Sequence, residues 1–160
     1  MEETITQAKA EFLRAKEQLL SSLATTPDDK LNWSPATTAR TPLQLAAHAA
    51  SAVSGIVRML NGEPLPYPDT GKFDASMRLA EQEYTTREQV LSLMEQNSAQ
   101  YLTWIDALSP EQVSSTITIP FGSMPMAVAV TLPADHINYH VAQLNYLQTI
   151  CGDREWHMGS

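Results

Sequence analysis

The chain has 160 residues, 43% of them apolar, and a formal net charge of −8. That length suits one domain with a real core, and the acidic balance argues against a nucleic-acid partner, which calls for a basic surface. No uninterrupted run of about eighteen apolar residues exists, so no membrane partner is expected; the acidic start Met1-Glu2-Glu3-Thr4 is unlike a secretory signal, and a lone Cys151 excludes an internal disulfide and fits a reducing cytoplasm.

The first helix is expected from about Glu3 to Ala24, where Ile5, Ala8, Phe12, Ala15 and Leu19 recur at steps of three and four and form one apolar face. Thr26-Pro27-Asp28-Asp29 and Asn32-Trp33-Ser34-Pro35 then make a loop, since proline breaks helices. The second helix has the clearest start. Thr41 is an N-cap, Pro42 takes the first helical position and Gln44 completes a capping box. Its stripe is Leu43, Ala46, Ala50, Val53, Val57 and Leu60, with His48 at the edge, and Asn61-Gly62 ends it. From Asn61 to about Tyr84 the pattern is irregular, interrupted by Pro64, Pro66 and Pro68, with only a short helical turn expected over Ala75–Glu83; long loops of this kind are lids or plain connections.

The third helix is expected from about Thr86 to Leu108, with Val90, Met94, Asn97, Tyr101, Trp104 and Leu108 on one face. Asn97 is the odd member, either a satisfied structural amide or a group that orients something in the core. Between Val113 and Val128 the period changes. Ile117 and Ile119 alternate with Thr116 and Thr118 before Pro120-Phe121-Gly122-Ser123, which reads as a short β-hairpin. The fourth helix is expected from about Met126 to Ile150, with Pro133 as a kink or the sign of a late start, and Gly152 stops it. These elements predict an all-α four-helix bundle over 1–152, with a hairpin between the third and fourth helices and a tail at 153–160.

Three of the four histidines fall inside these helices. His136 and His140 stand one turn apart on one face, beside Leu132, Gln143 and Leu147. Such a pair can hold one metal ion, and His48 from the second helix supplies a third donor, since bundles build metal sites from side chains facing inward on different helices. Three imidazoles suit zinc, nickel, iron or copper and leave coordination positions open. Ile137 follows the first histidine where a zinc protease helix needs Glu, and no Glu-x-x-His motif of the di-iron kind occurs. Asp135, Asn138 and Tyr139 lie off the metal-facing stripe, and no general base is evident. Gln143 lies on it, one turn beyond His140, as an outer-sphere or substrate-contacting group. His157 falls in the tail and is not expected to be a ligand; Cys151 reads as an inert packing cysteine. Buried structural histidines remain the alternative.

Asp29-Lys30-Leu31-Asn32-Trp33-Ser34-Pro35, Leu45-Ala46-Ala47-His48 and Asp135-His136-Ile137-Asn138-Tyr139-His140-Val141-Ala142-Gln143 together resemble the DinB-like (YfiT-like) superfamily of metal-binding four-helix bundles. The resemblance covers almost the whole chain and implies His48, His136 and His140 as ligands of a divalent metal, zinc or nickel first, with iron or manganese as alternatives, and water completing the coordination. It also implies a homodimer, a small-molecule substrate and a metal-dependent enzyme of the thiol S-transferase or isomerase type using a low-molecular-weight thiol. Metal-dependent hydrolysis and a non-catalytic, stress-related metal-binding role are the other activities it brings.

Overall fold

A computed structural model describes residues 2–67, 69–155 and 157. In chain order the helices are α1 (Glu2–Thr25), α2 (Pro42–Leu60), α3 (Thr70–Glu81), α4 (Arg87–Asp106), α5 (Pro110–Val113), α6 (Met126–Ala129) and α7 (Leu132–Ile150), with strands β1 (Thr116–Ile119) and β2 (Gly122–Pro125) between α5 and α6. The four long helices α1, α2, α4 and α7 form the bundle. α7 lies between α1 and α2, and α4 closes the ring between α2 and α1.

α1, α2 and α4 bury most of the stripe that their sequence periods predict, whereas α7 turns Ala134, Ile137, Val141 and Leu144 into the core beside His140 and Leu147 and leaves Leu132, His136 and Gln143 of its expected stripe half-buried. On α1, Ala8, Phe12, Ala15, Leu19 and Leu23 are buried. Phe12 packs on Tyr101 of α4 with ring centroids 4.4 Å apart, and the Tyr101 hydroxyl donates to the Val130 carbonyl at 2.8 Å, so its one polar atom is satisfied inside the core. α2 is the central helix. Leu43, Ala46, Ala47, Ala49, Ala50 and Val53 are all buried, because its alanines allow both α4 and α7 to approach. By length and a mean hydropathy of 1.2 it is also the one described helix that resembles a membrane span, and 61% of that window is buried inside the bundle. A helix apolar on most sides is what a central position requires.

The predicted caps are in place. Thr41 Oγ1 accepts the Gln44 N–H at 3.2 Å while Gln44 Oε1 accepts the Thr41 N–H at 3.0 Å, and Pro42 opens α2 where no N–H is needed. Thr86 and Gln89 repeat the same reciprocal pair at the start of α4. The hairpin is present, with Ile119 opposite Gly122; Gly122 turns the chain at φ +137°, a value side chains rarely adopt.

Three expectations are corrected. The segment between α2 and α4 holds a 12-residue helix, α3, rather than a turn over 75–83. Asp69 caps it, its Oδ1 accepting the Lys72 N–H at 2.7 Å. The prolines all precede that cap in the sequence and leave the helix intact; Pro68 lies outside the described residues. The last helix does not start at Met126. α6 ends at Ala129, and α7 begins at Leu132 with Pro133 in its first turn, where a missing N–H costs nothing. Cys151 is exposed rather than packed. Of the tail expected at 153–160, positions 156 and 158–160 lie outside the described residues.

Candidate metal centre

α2 and α7 pack along their length, and the stripe of α7 that turns toward α2 carries His136, His140 and Gln143. One turn of α7 brings His136 and His140 together, with Nε2 to Nε2 at 3.1 Å. His48 comes from α2 to meet them, its ring centroid 4.7 Å from that of His140 and 5.3 Å from that of His136. Each of the three offers one ring nitrogen within 4.8 Å of the others. His48 and His140 are buried and His136 is half-buried.

Two rings are held from behind. His140 Nδ1 lies 2.8 Å from Gln143 Oε1, and His48 Nδ1 lies 2.7 Å from Glu81 Oε1. Both acceptors are oxygens, so each Nδ1 carries the proton and each Nε2 keeps its lone pair toward the cluster. Such outer partners are characteristic of metal-binding imidazoles. Burial first, then the neighbouring His140 and His48, lowers the His136 pKa to about 3. Burial and His48 lower that of His140 to about 4, against the opposing bond to Gln143. At neutral pH both rings are therefore neutral, as a ligand must be.

Glu81 is the residue sequence reasoning missed. It ends α3, is almost fully buried at 3% exposure, and is gripped by Arg40, whose Nε donates to Oε2 at 2.6 Å and Nη2 to Oε1 at 3.0 Å. Burial alone would raise the carboxyl pKa, but the hydrogen bonds from His48 and Arg40 outweigh it and hold it below the ordinary value. Burial likewise opposes the Arg40 charge, and its bonds to Glu81 and Asp74 reverse that, so its pKa is raised. The only sequence signal was an acidic residue inside the segment read as irregular, which no spacing rule ties to His48.

The other candidates separate cleanly. Asn97 donates from Nδ2 to the Ala50 carbonyl at 2.8 Å; it fastens α4 to α2 and makes no hydrogen bond to the cluster. Asp135 accepts from the Thr131 hydroxyl at the start of α7 and is exposed. Tyr139 is exposed, and its ring meets His140 edge-on at 5.4 Å, nearer than its helical angle suggests. His157 pairs with Asp153 at 2.7 Å and stands apart from the cluster. An open groove of about 340 Å³ runs beside the centre, lined in part by Arg40, Leu45, Arg78, Gln143, Tyr146 and Ile150. Gln143 and Arg40 thus face both the groove and the groups that hold the histidines.

The donor set fits a divalent cation: three imidazoles, two of them with an oriented Nε2, and two helices fixed by a packed core. Fold and cluster together define a four-helix bundle with a three-histidine centre. The DinB superfamily model matches residues 11–144, and the chain belongs to that superfamily. No curated protein matches it. Among solved structures it is similar to YfiT from Bacillus subtilis, described as a probable metal-dependent hydrolase with an unusual four-helix bundle topology, at 17% identity and a TM-score of 0.72, covering 95% of this chain and 90% of that one. It is also similar to DfsB, a sibling lethal factor precursor, at 19% identity and a TM-score of 0.72, covering 95% and 98%. A conserved protein from Enterococcus faecalis aligns at 18% identity and a TM-score of 0.67, covering 92% and 97%. At these identities the likeness is one of fold.

Proposed function

We propose that His48, His136 and His140 hold a divalent metal, zinc or nickel first, and that the protein is a metal-dependent enzyme of the thiol S-transferase or isomerase type. The observation that carries the metal assignment is the convergence of three ring nitrogens within 4.8 Å, two of them on rings oriented by Glu81 and Gln143. A divalent ion there supplies Lewis acidity, lowering the pKa of a thiol or a water and polarising a carbonyl.

What this chain's residues contribute favours the thiol. Glu81 is the only buried carboxylate among the described residues, and it is committed to Arg40 and His48. No carboxylate is left at the cluster to take a proton from a water as general base. Sulfur transfer asks less of the protein, since a thiolate is a nucleophile without such help. The groove beside Gln143, lined by Arg40, Arg78, Tyr146 and Ile150, offers polar and apolar walls for a small thiol, with both arginines already paired to Glu81 and Asp74. A hydrolase is the second reading, favoured by the shared fold with YfiT and its description.

Cobalt(II)-substituted protein titrated with glutathione, and separately with a panel of activated esters, tests both. A sulfur-to-cobalt charge-transfer band that is lost in His140→Ala supports the thiol reading. No band, with ester hydrolysis that disappears in the same variant, overturns it in favour of the hydrolase.

A further inference from the structure

α3 is attached to the bundle in an unusual way. Glu81 is its one buried residue. Phe73 and Met77 are only partly buried, Leu79 is 69% exposed, and none of the three joins the apolar core. At 12 residues, a helix is too short to persist alone in water. Among the hydrogen bonds that its side chains make outside the helix, every one runs to α2 or to the loop before it: Glu81 to His48 and Arg40, Asp74 to Arg40 at 3.0 Å, and Arg78 Nη1 to the Thr38 carbonyl at 3.1 Å. The hydrophobic effect that holds α1, α2, α4 and α7 contributes little here. A buried carboxylate clamped by an arginine and a histidine replaces it.

We infer that Glu81 is a positioning residue that fastens α3 to the bundle through His48, so that filling of the histidine cluster by a cation and docking of α3 form one coupled equilibrium. This rests on the metal reading proposed above and extends it to a moving part. The physical reason is the tautomer of His48. A neutral imidazole carries its proton on either nitrogen, and only the Nδ1–H form donates to Glu81. A cation on Nε2 admits only that form and fixes the ring. The same contact therefore gains from both events. Coupling is reciprocal: whatever a cation adds to the docking of α3, a docked α3 adds to cation affinity. Removing the carboxylate leaves Arg40 and His48 without their buried acceptor, so both sides lose.

The test is hydrogen–deuterium exchange on the full-length protein, metal-stripped and zinc-loaded, beside zinc affinity measured by competition with a chromogenic chelator, in wild type and Glu81→Gln. Zinc is expected to slow exchange of the 70–81 amides at least tenfold more than that of the 8–23 amides. Glu81→Gln keeps the shape of the side chain but loses its charge and replaces one of its two acceptor oxygens with a donor, so it can no longer accept from Arg40 and His48 as the carboxylate does. It is expected to weaken zinc affinity about 10–100-fold, as loss of an outer-sphere partner does, and to speed exchange over 70–81 in the metal-free protein while 43–60 and 132–150 stay protected. Protection of α3 that is indifferent to zinc, or a Glu81→Gln variant that binds zinc like wild type, overturns the coupling. Should wild type bind no zinc at all, the metal reading and the coupling fall together, and metal-free exchange in the two proteins still decides whether Glu81 fastens α3.

Discussion

His136 and His140 face each other Nε2 to Nε2 at 3.1 Å across one turn of α7, and His48 meets both from α2. Only one hydrogen fits between two imidazole nitrogens, so a cation seated there satisfies several lone pairs that the protein alone leaves facing one another. Purified protein is expected to carry about one divalent metal per chain by inductively coupled plasma mass spectrometry, and the double variant His136→Ala/His140→Ala close to none. Because the ion binds only the folded chain, zinc at a hundred times its dissociation constant should add about 2.7 kcal/mol to wild-type stability and nothing to the variant. Equal thermal shifts in the two proteins would place the ion elsewhere.

Gln143 fixes the ring of His140 by accepting its Nδ1–H at 2.8 Å. Gln143→Leu keeps much of the volume and removes the acceptor. Zinc affinity is expected to fall about 10–100-fold with the folded structure retained, since Gln143 is on the half-exposed side of α7. Isothermal titration with zinc reads the change; an unaltered dissociation constant would make Gln143 a groove residue only.

The long helices and the His136–His140 pair were legible because they rest on local rules, whereas His48 was joined to the pair through the bundle plan and the family resemblance. Thr41-Pro42 with Gln44 announces α2 through donors that no helix can satisfy internally. His136 and His140 share a face because 3.6 residues make a turn. Pro133 signalled a break but not which one, since a proline is tolerated in the first turn of a helix and kinks its interior alike. α3 and Glu81 were hidden for a different reason. A helix with a single buried, charged residue has no apolar stripe to read, and the bond from Glu81 to His48 spans 33 positions with no periodicity linking its ends.

The metal-free protein is expected to lose stability as pH falls from about 6.5 toward 4. Burial and mutual proximity depress His136 to about 3 and His140 to about 4, below the ordinary histidine value near 6.5. The unfolded chain then binds more protons than the folded one throughout that window, so acid favours unfolding. The contribution of both rings is complete above pH 6.5 and gone once the folded pKa values are passed. Glu81, lowered by His48 and Arg40 against its burial, acts in the same direction below its ordinary pKa near 4.5. Urea midpoints of metal-stripped protein at pH 7.5, 6.0 and 5.0 should fall in that order, and the fall between 7.5 and 5.0 should shrink in His136→Phe/His140→Leu. A flat profile in wild type would mean that the rings are open to solvent.

Asn97 provides the opposite control. It is buried on the apolar stripe of α4, and its Nδ2 donates to the Ala50 carbonyl at 2.8 Å, two residues beyond His48 on α2. That position invites a role at the metal, but the side chain spends its hydrogen bond on backbone. Ala50 lies inside α2, where its carbonyl also has a helical partner, so removing Asn97 leaves no acceptor stranded. Asn97→Ala is therefore expected to cost about 1–2 kcal/mol, from one net hydrogen bond and a small void. Metal stoichiometry and zinc affinity should stay at the wild-type values. Chemical denaturation reads the first quantity and chelator competition the second. A variant of near-normal stability with a tenfold loss of zinc affinity would show that the α2–α4 contact sets the position of His48, and that Asn97 belongs with Glu81 and Gln143 among the groups that orient the cluster.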